Sequence, residues 1–120
     1  MVTWAIHGDA AEIVSLNAFE PGHGYGRQAL AEAGRVLAAI GIARLWLVTT
    51  NDNLQAIAVY LRAGWRLTAV HLDAMDAVRA LKPNIPHIGQ NGLPLRDEWR
   101  FEKDVGAAPL SPVRFTHRSV

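Results

Sequence analysis

The chain has no cysteine. Disulfides, thiolate metal sites and a cysteine acyl-enzyme are all excluded by that single absence. No apolar run approaches the ~18 residues that a membrane-spanning helix needs. The amino end, Met1-Val2-Thr3-Trp4, has neither a basic segment nor the apolar stretch of a secretory leader. Charge of one sign is scarce as well. Twelve Lys and Arg stand against eleven Asp and Glu, a formal net charge of +1, so extensive neutralisation of nucleic-acid phosphates is not expected. The five histidines are scattered without the short spacing of ligands on one helix, and no metal site is read. These absences point to a soluble, cytoplasmic protein with neither a membrane nor a nucleic acid as partner.

What remains is globular in composition: half of the residues are hydrophobic and 19% are charged. The 120 residues suit one domain. Val2–Ile6 and Ala11–Phe19 read as strands joined by the turn His7-Gly8-Asp9, a β-hairpin. After a loop at Glu20–Gly24, apolar residues at Leu30, Ala33, Val36, Leu37 and Ile40 predict a helix from Tyr25 to about Ile40, stopped by Gly41. The run Arg44–Thr50 is short and apolar, as a buried central strand is, and is expected to lie parallel to the strand before the helix.

A second helix, about Leu54–Ala63, has its apolar stripe at Leu54, Ile57, Ala58 and Leu61 and ends at Gly64. Trp65–Leu72 reads as a strand, Asp73 as the N-cap of a helix to about Leu81, Lys82–Leu95 as a long ordered loop, and Arg96–Val105 as a last strand. Trp4, Trp46 and Trp65 are read as packing residues. The resulting fold class is α/β, a mixed β-sheet flanked by helices. The domain covers residues 1–105, and residues 106–120 form a C-terminal tail.

The chemically suggestive segment is Gly22-His23-Gly24-Tyr25-Gly26-Arg27, between a strand and a helix. Glycines at alternate positions let backbone amides turn into one concavity, the helix N-terminus adds partial positive charge, and Arg27 adds a full one. That is a cradle for a pyrophosphate. Gly24-x-Gly26-x-x-Ala29 also fits a dinucleotide fingerprint. A dinucleotide fold, however, wants an acidic residue at the end of the next strand. Here that strand ends Val48-Thr49-Thr50-Asn51, and Asp52 comes late. A glycine-rich turn without a ligand is the third possibility.

Two separated motifs narrow the choice. Ala11-Glu12-Ile13-Val14 is followed after a short interval by His23-Gly24-Tyr25-Gly26, and downstream stands Asn53-x-x-Ala56-x-x-x-Tyr60-x-x-x-Gly64-Trp65. In this order the chain resembles the core of the GNAT superfamily of acetyltransferases over about residues 2–105. The resemblance implies an acetyl-CoA-dependent N-acetyltransferase that moves the acetyl group directly to an amine of a small molecule or peptide. It implies that the strand edge at Leu16, Asn17 and Ala18 splays and pairs with the pantetheine arm. Gly22, His23, Gly24, Tyr25, Gly26 and Arg27 would hold the pyrophosphate, and Asn53 would meet the cofactor near its reactive end. Tyr60 would protonate the departing thiolate, and Glu12 matches the general base of the histone-acetylating branch. Lys82 through Glu98 is expected to take part in acceptor recognition.

The chain departs from the family at Pro21, where Arg or Gln is usual, and Trp65 replaces a phenylalanine. Only Val2–Ile6 precedes the Glu12 strand, whereas a full domain has a strand and two helices more. Apolar surface left uncovered by that shortening predicts a homodimer. The alternative function is a non-catalytic acyl-CoA-binding module, a remnant of the family that dimerises.

Overall fold

The computed structural model describes residues 2–16 and 25–106. The strand β1 (Val2–His7) turns at Gly8, whose φ of 65° suits glycine, and returns as β2 (Ala10–Leu16). These two are antiparallel, with a register shift between Thr3 and Trp4. Helix α1 (Tyr25–Ala39) leads to β3 (Arg44–Thr50), and α2 (Leu54–Arg62) to β4 (Arg66–His71). Helix α3 (Ala74–Leu81) precedes a long loop and the last strand, β5 (Glu98–Asp104). The sheet order is β1-β2-β3-β5-β4, with β2 and β3 parallel and every other pair antiparallel. The expected mixed sheet flanked by helices, with its parallel central pair, is therefore present.

Both long helices bury one stripe against the same core, but the stripes differ from those expected. On α1 the buried positions are Leu30, Ala33, Gly34 and Leu37, a run at three- and four-residue spacing. Val36 and Ile40 lie outside it, 42% and 63% exposed. Gly34 belongs to the stripe because a Cβ there would sit 3.5 Å from Val105 and 3.8 Å from Leu45; the helix approaches the sheet closely at that point. On α2 the buried residues are Ala56, Ile57 and Tyr60, while Leu54 and Leu61 face outward. These helices meet Ala11 and Ile13 of β2, Leu45 and Leu47 of β3, and Phe101 of β5 in one cluster. Strand side chains alternate between faces, so Glu12, Val14, Trp46 and Val48 belong to the other face.

Two further expectations are corrected. Asp73 does not cap α3 with its side chain. Its backbone is left-handed, φ 60°, and its N–H donates to Asp97 Oδ1 at 2.8 Å. The tight turn out of β4 takes the geometry that a capping aspartate would need. Trp65 is buried and Trp46 half-buried, but Trp4 stands 37% exposed on the edge strand. The tail expected from residue 106 lies outside the described residues except for Gly106, whose N–H donates to Ala43 O at 3.0 Å.

Candidate active site

Strands β2 and β3 pair over only three positions, Ala10 with Arg44, Ala11 with Leu45 and Glu12 with Trp46. Beyond them each strand stays bonded to its outer neighbour: β2 to β1 as far as Leu16, and β3 to β5 as far as Thr50. The two inner edges, residues 13–16 and 47–50, therefore part without pairing to each other. This is a wedge in the middle of a sheet, lined on both sides by main-chain donors and acceptors that have no ladder partner across the gap. Groups of that kind need hydrogen bonds from somewhere. An extended ligand carrying its own amides, such as a pantetheine arm, fits the donor and acceptor set.

Glu12 is the last paired residue of β2, so it stands at the apex of the wedge. Among the described residues it has no ion-pair partner. Its neighbour in register, Trp46, carries the Arg100 guanidinium 4.0 Å above the ring centroid. Arg100 Nε donates to Glu102 Oε2 at 2.9 Å, and Arg44 Nε lies 3.8 Å from Glu102 Oε1. This charged array on the Glu12 face was not anticipated. Its parts lie on two strands more than fifty residues apart, and only the register of β3 on β5 joins them.

Tyr60 approaches from the helix face. Its ring packs 5.5 Å from Phe101 and 6.0 Å from Trp65, centroid to centroid. Burial raises the phenol above the ordinary tyrosine pKa, so the hydroxyl keeps its proton through the neutral range. Among the described residues its hydroxyl has no hydrogen-bond partner. Glu12 and Tyr60 thus belong to opposite faces of the sheet.

The pyrophosphate cradle is described only in part. Asn17, Ala18, Gly22, His23 and Gly24 lie outside the described residues. Leu16 closes β2 and Tyr25 opens α1, and Gly26 is buried in the first turn of that helix. The first turn of α1 contains no acidic residue, so nothing there opposes an anion at the positive end of the helix. Asn53 follows β3 at the mouth of the wedge. Its side-chain oxygen accepts from Ala56 N at 3.3 Å, and its Nδ2 donates to Thr49 Oγ1 at 3.4 Å. The expected cofactor contact is, in this structure, first of all the cap of α2.

The residues just before Asn53 hold a strap against the end of β3. Asn51 Oδ1 accepts from Arg96 N and Asp97 N at 3.0 and 2.9 Å, and its Nδ2 donates to Pro94 O at 2.8 Å. Asp52 is buried, and its Oδ2 accepts from Gln90 N at 2.7 Å. A Cβ at Gly89 would fall 2.1 Å from that oxygen, so only glycine lets the strap come so close. Arg79 reaches back from α3 to the carbonyls of Pro86 and Leu95. The expected long ordered loop is thus a pinned one, tightened by a 3-10 turn at Gln90–Gly92 and a bridge from Ile88 to Pro94. The signal in the sequence was the triplet Asn51-Asp52-Asn53, more short polar side chains than one helix cap requires.

Asp97 anchors the carboxyl end of the strap. Hydrogen bonds from Arg96 and from the Asp73 N–H hold its carboxyl below the ordinary aspartate pKa, against the effect of its burial. A depressed carboxyl pKa means that the unfolded chain binds the proton more readily. The stabilisation is complete above the ordinary aspartate range and is lost as pH falls through the folded value. The expected outcome is that Asp97→Asn lowers the melting temperature at pH 7 and narrows its gap to the parent chain as pH drops below about 4. A gap unchanged between pH 7 and pH 3 in a thermal-melt series would refute this linkage.

Residues 8–65 match the Acetyltransferase (GNAT) family. The chain is 34% identical over 105 residues to the uncharacterized protein YxbD of Bacillus subtilis (strain 168), covering 88% of this chain and 66% of that protein. It is 37% identical over 102 residues to the uncharacterized protein YdhI of the same organism, covering 85% of this chain and 64% of that one. It therefore spans just under two thirds of the length of these relatives. A Bacillus subtilis acetyltransferase solved in complex with CoA superposes with a TM-score of 0.71 at 22% identity, over 86% of this chain and 68% of the other. Among the described residues no helix is long and apolar enough to cross a membrane, and no cluster of side chains could hold a metal ion.

Proposed function

The chain belongs to the acetyltransferase (GNAT) family, and from that premise we propose that it is an acetyl-CoA-dependent N-acetyltransferase acting on an amine of a small molecule or peptide. The observation that carries this reading is the wedge between β2 and β3, with Glu12 at its apex; Tyr60 shares the buried cluster with Ile13 and Leu47 of its two edges. Bound there, acetyl-CoA supplies an acyl thioester whose carbonyl carbon accepts an amine and whose sulfur leaves.

The chain's own residues do the rest in this reading. The free edges of β2 and β3, with Leu16, Asn17 and Ala18, hold the pantetheine arm in line with the wedge. Gly22, His23, Gly24, Tyr25, Gly26 and Arg27 hold the pyrophosphate at the N-terminus of α1. Asn53 fixes the start of α2, and through it the position of Tyr60. Glu12 takes the proton of the attacking amine, directly or through a water. Tyr60 gives its phenolic proton to the departing sulfur, for which a hydroxyl that remains protonated at neutral pH is suited. The strap from Lys82 to Glu98, pinned against the end of β3, forms a wall for the acceptor. No covalent enzyme intermediate is needed, since both partners are held at once.

The working compartment in this reading is the cytoplasm, and the working form is a homodimer. An uncharged edge strand with Trp4 and Ile6 exposed supports the pairing of two chains. The test is calorimetric. Acetyl-CoA should bind the purified chain with micromolar affinity, about −8 kcal/mol, and NAD should not bind. A folded chain that binds NAD and not acetyl-CoA would overturn the proposal.

A further inference from the structure

The transfer chemistry makes no use of the charged array beside Glu12. Arg100 lies on β5 in register with Val48, the next residue after Trp46 on that face of β3, on the side where the wedge opens. Two contacts fix its guanidinium. Its Cζ sits 4.0 Å from the Trp46 ring centroid, and its Nε donates to Glu102 Oε2 at 2.9 Å. Among the described residues no acceptor is paired with Nη1 or Nη2, although the side chain is only 32% exposed. Glu102 does not saturate it. The same carboxylate accepts from Thr68 Oγ1 at 3.3 Å and lies 3.8 Å from Arg44 Nε, so one anion is shared by two cations. Glu98, next on this face of β5, forms no ion pair with Arg100.

We propose that Arg100 recognises a carboxylate on the acceptor, so that the amine acetylated here belongs to a molecule that also carries a carboxylate, as a free amino acid or a short peptide does. The inference rests on the transferase reading above and deepens it by naming the acceptor class. Glu12 on β2 and Arg100 on β5 share one face of the sheet, with Trp46 of β3 between them. A zwitterion laid across Trp46 meets both, its amine at Glu12 and its carboxylate at Arg100. The two strands are two spacings apart, about 10 Å, and Arg100 closes part of that gap by reaching over the Trp46 ring. What remains suits a small acceptor. The floor beside it is apolar: Val14 and Val48 stand exposed on the same face and offer contact to a carbon skeleton.

The chemistry of the side chain favours this ligand. A planar guanidinium held at Nε presents its remaining N–H groups as a fork, which matches the two oxygens of a carboxylate. Because Trp46 and Glu102 already hold the fork, little side-chain freedom is left to lose on binding. The fold does not require the free N–H groups. β3 and β5 are joined by continuous pairing from Arg44–Asp104 to Thr50–Glu98, and Phe101 packs on the opposite face. The methylenes of Arg100 suffice to cover the strand beneath them. Donors that are mostly covered and unpaired call for a partner.

The experiment sets free amino acids and dipeptides each against its own C-terminal amide, with spermidine as an amine that has no carboxylate. Transfer from acetyl-CoA is followed by thiol release. Binding is followed by calorimetric titration of each acceptor into the full chain saturated with CoA, which cannot turn over. An amino acid amide has the more readily deprotonated amine, so a preference for the acid reports a contact and not basicity. The unaltered chain should favour the acids by about tenfold or more in kcat/KM and in affinity, as expected for one charge-assisted contact. In Arg100→Gln that preference should shrink to about threefold or less, through a higher KM for the acids. Arg100→Lys keeps the charge without the fork and should fall between the two. Equal use of acid and amide by the unaltered chain, or transfer to spermidine and the amides only, would overturn the proposal while leaving the transferase standing. So would a preference for the acids that survives Arg100→Gln. No transfer to any of these amines, by a chain that binds acetyl-CoA, would overturn the transferase reading itself, and this inference with it.

Discussion

Replacing Tyr60 by phenylalanine is expected to lower kcat by about 10²-fold, the low end of what a positioned general acid contributes, while acetyl-CoA binding stays as it was. The substitution is clean because the ring does the structural work. The contacts at 5.5 Å to Phe101 and 6.0 Å to Trp65 are contacts of the ring, and phenylalanine keeps them. Only the hydroxyl is lost, and no hydrogen bond to a described residue is lost with it. A second signature separates loss of an acid from loss of packing. Since burial raises the phenol pKa, ionisation of the phenol should give the parent rate a falling limb at high pH, and that alkaline limb should be absent from the variant. Steady-state kinetics from pH 6 to pH 11 read both effects. A variant that turns over at the parent rate would remove Tyr60 from the chemistry. No turnover in either protein, with acetyl-CoA bound by both, would favour the non-catalytic acyl-CoA-binding module.

The role of Tyr60 bears on how far this molecule could be read from its sequence. The order of elements was legible because its punctuation is strong. Gly8, Gly41 and Gly64 have φ values of 65°, 97° and 93°, which other residues rarely adopt, and each ends an element where expected. The faces of the helices were less legible. Periodicity alone put Leu54, Ile57, Ala58 and Leu61 on the buried stripe of α2 and left Tyr60 off it, but the sheet buries Ala56 and Tyr60 beside Ile57 and leaves the two leucines outside. A three- to four-residue repeat has more than one phase when a helix is apolar nearly all round, and only the partner surface chooses among them. The same ambiguity moved the stripe of α1 onto Gly34, a residue that no hydrophobicity argument selects.

Long-range polar contacts were not legible at all. Asn51 and Asp52 meet the strap across some forty positions of chain. Arg100 meets Trp46 only because β5 lies beside β3 in one particular register. The wedge falls between these cases. Its existence followed from the resemblance, but its apex at Glu12 is a fact of strand register. The pairing of β2 with β3 stops after Trp46 while the outer pairings continue. A site built from interrupted pairing leaves no motif of its own, because backbone groups carry its binding function.

That dependence on the sheet makes Phe101→Ala the substitution with the largest expected cost in stability, about 3–5 kcal/mol. Phe101 is 0% exposed and sits on β5 between Leu47 of β3 and Leu67 of β4. It joins the two strands of one half of the sheet and supports α2 through the Tyr60 ring. Removing it forfeits the transfer energy of a buried aromatic and leaves a cavity that a strand in mid-sheet cannot collapse to fill. Against a typical total of about 5–15 kcal/mol, such a loss brings the chain near its unfolding threshold. Phe101→Leu should cost markedly less, since most of the volume remains. Urea denaturation reads both as a lower midpoint at unchanged slope. The cavity also opens beneath Tyr60. At temperatures where the alanine variant is still folded, its turnover should therefore fall further than its affinity for acetyl-CoA, because the wedge edges survive while the acid loses its support. Equal losses in the two would mean that Phe101 holds the sheet together without positioning the tyrosine.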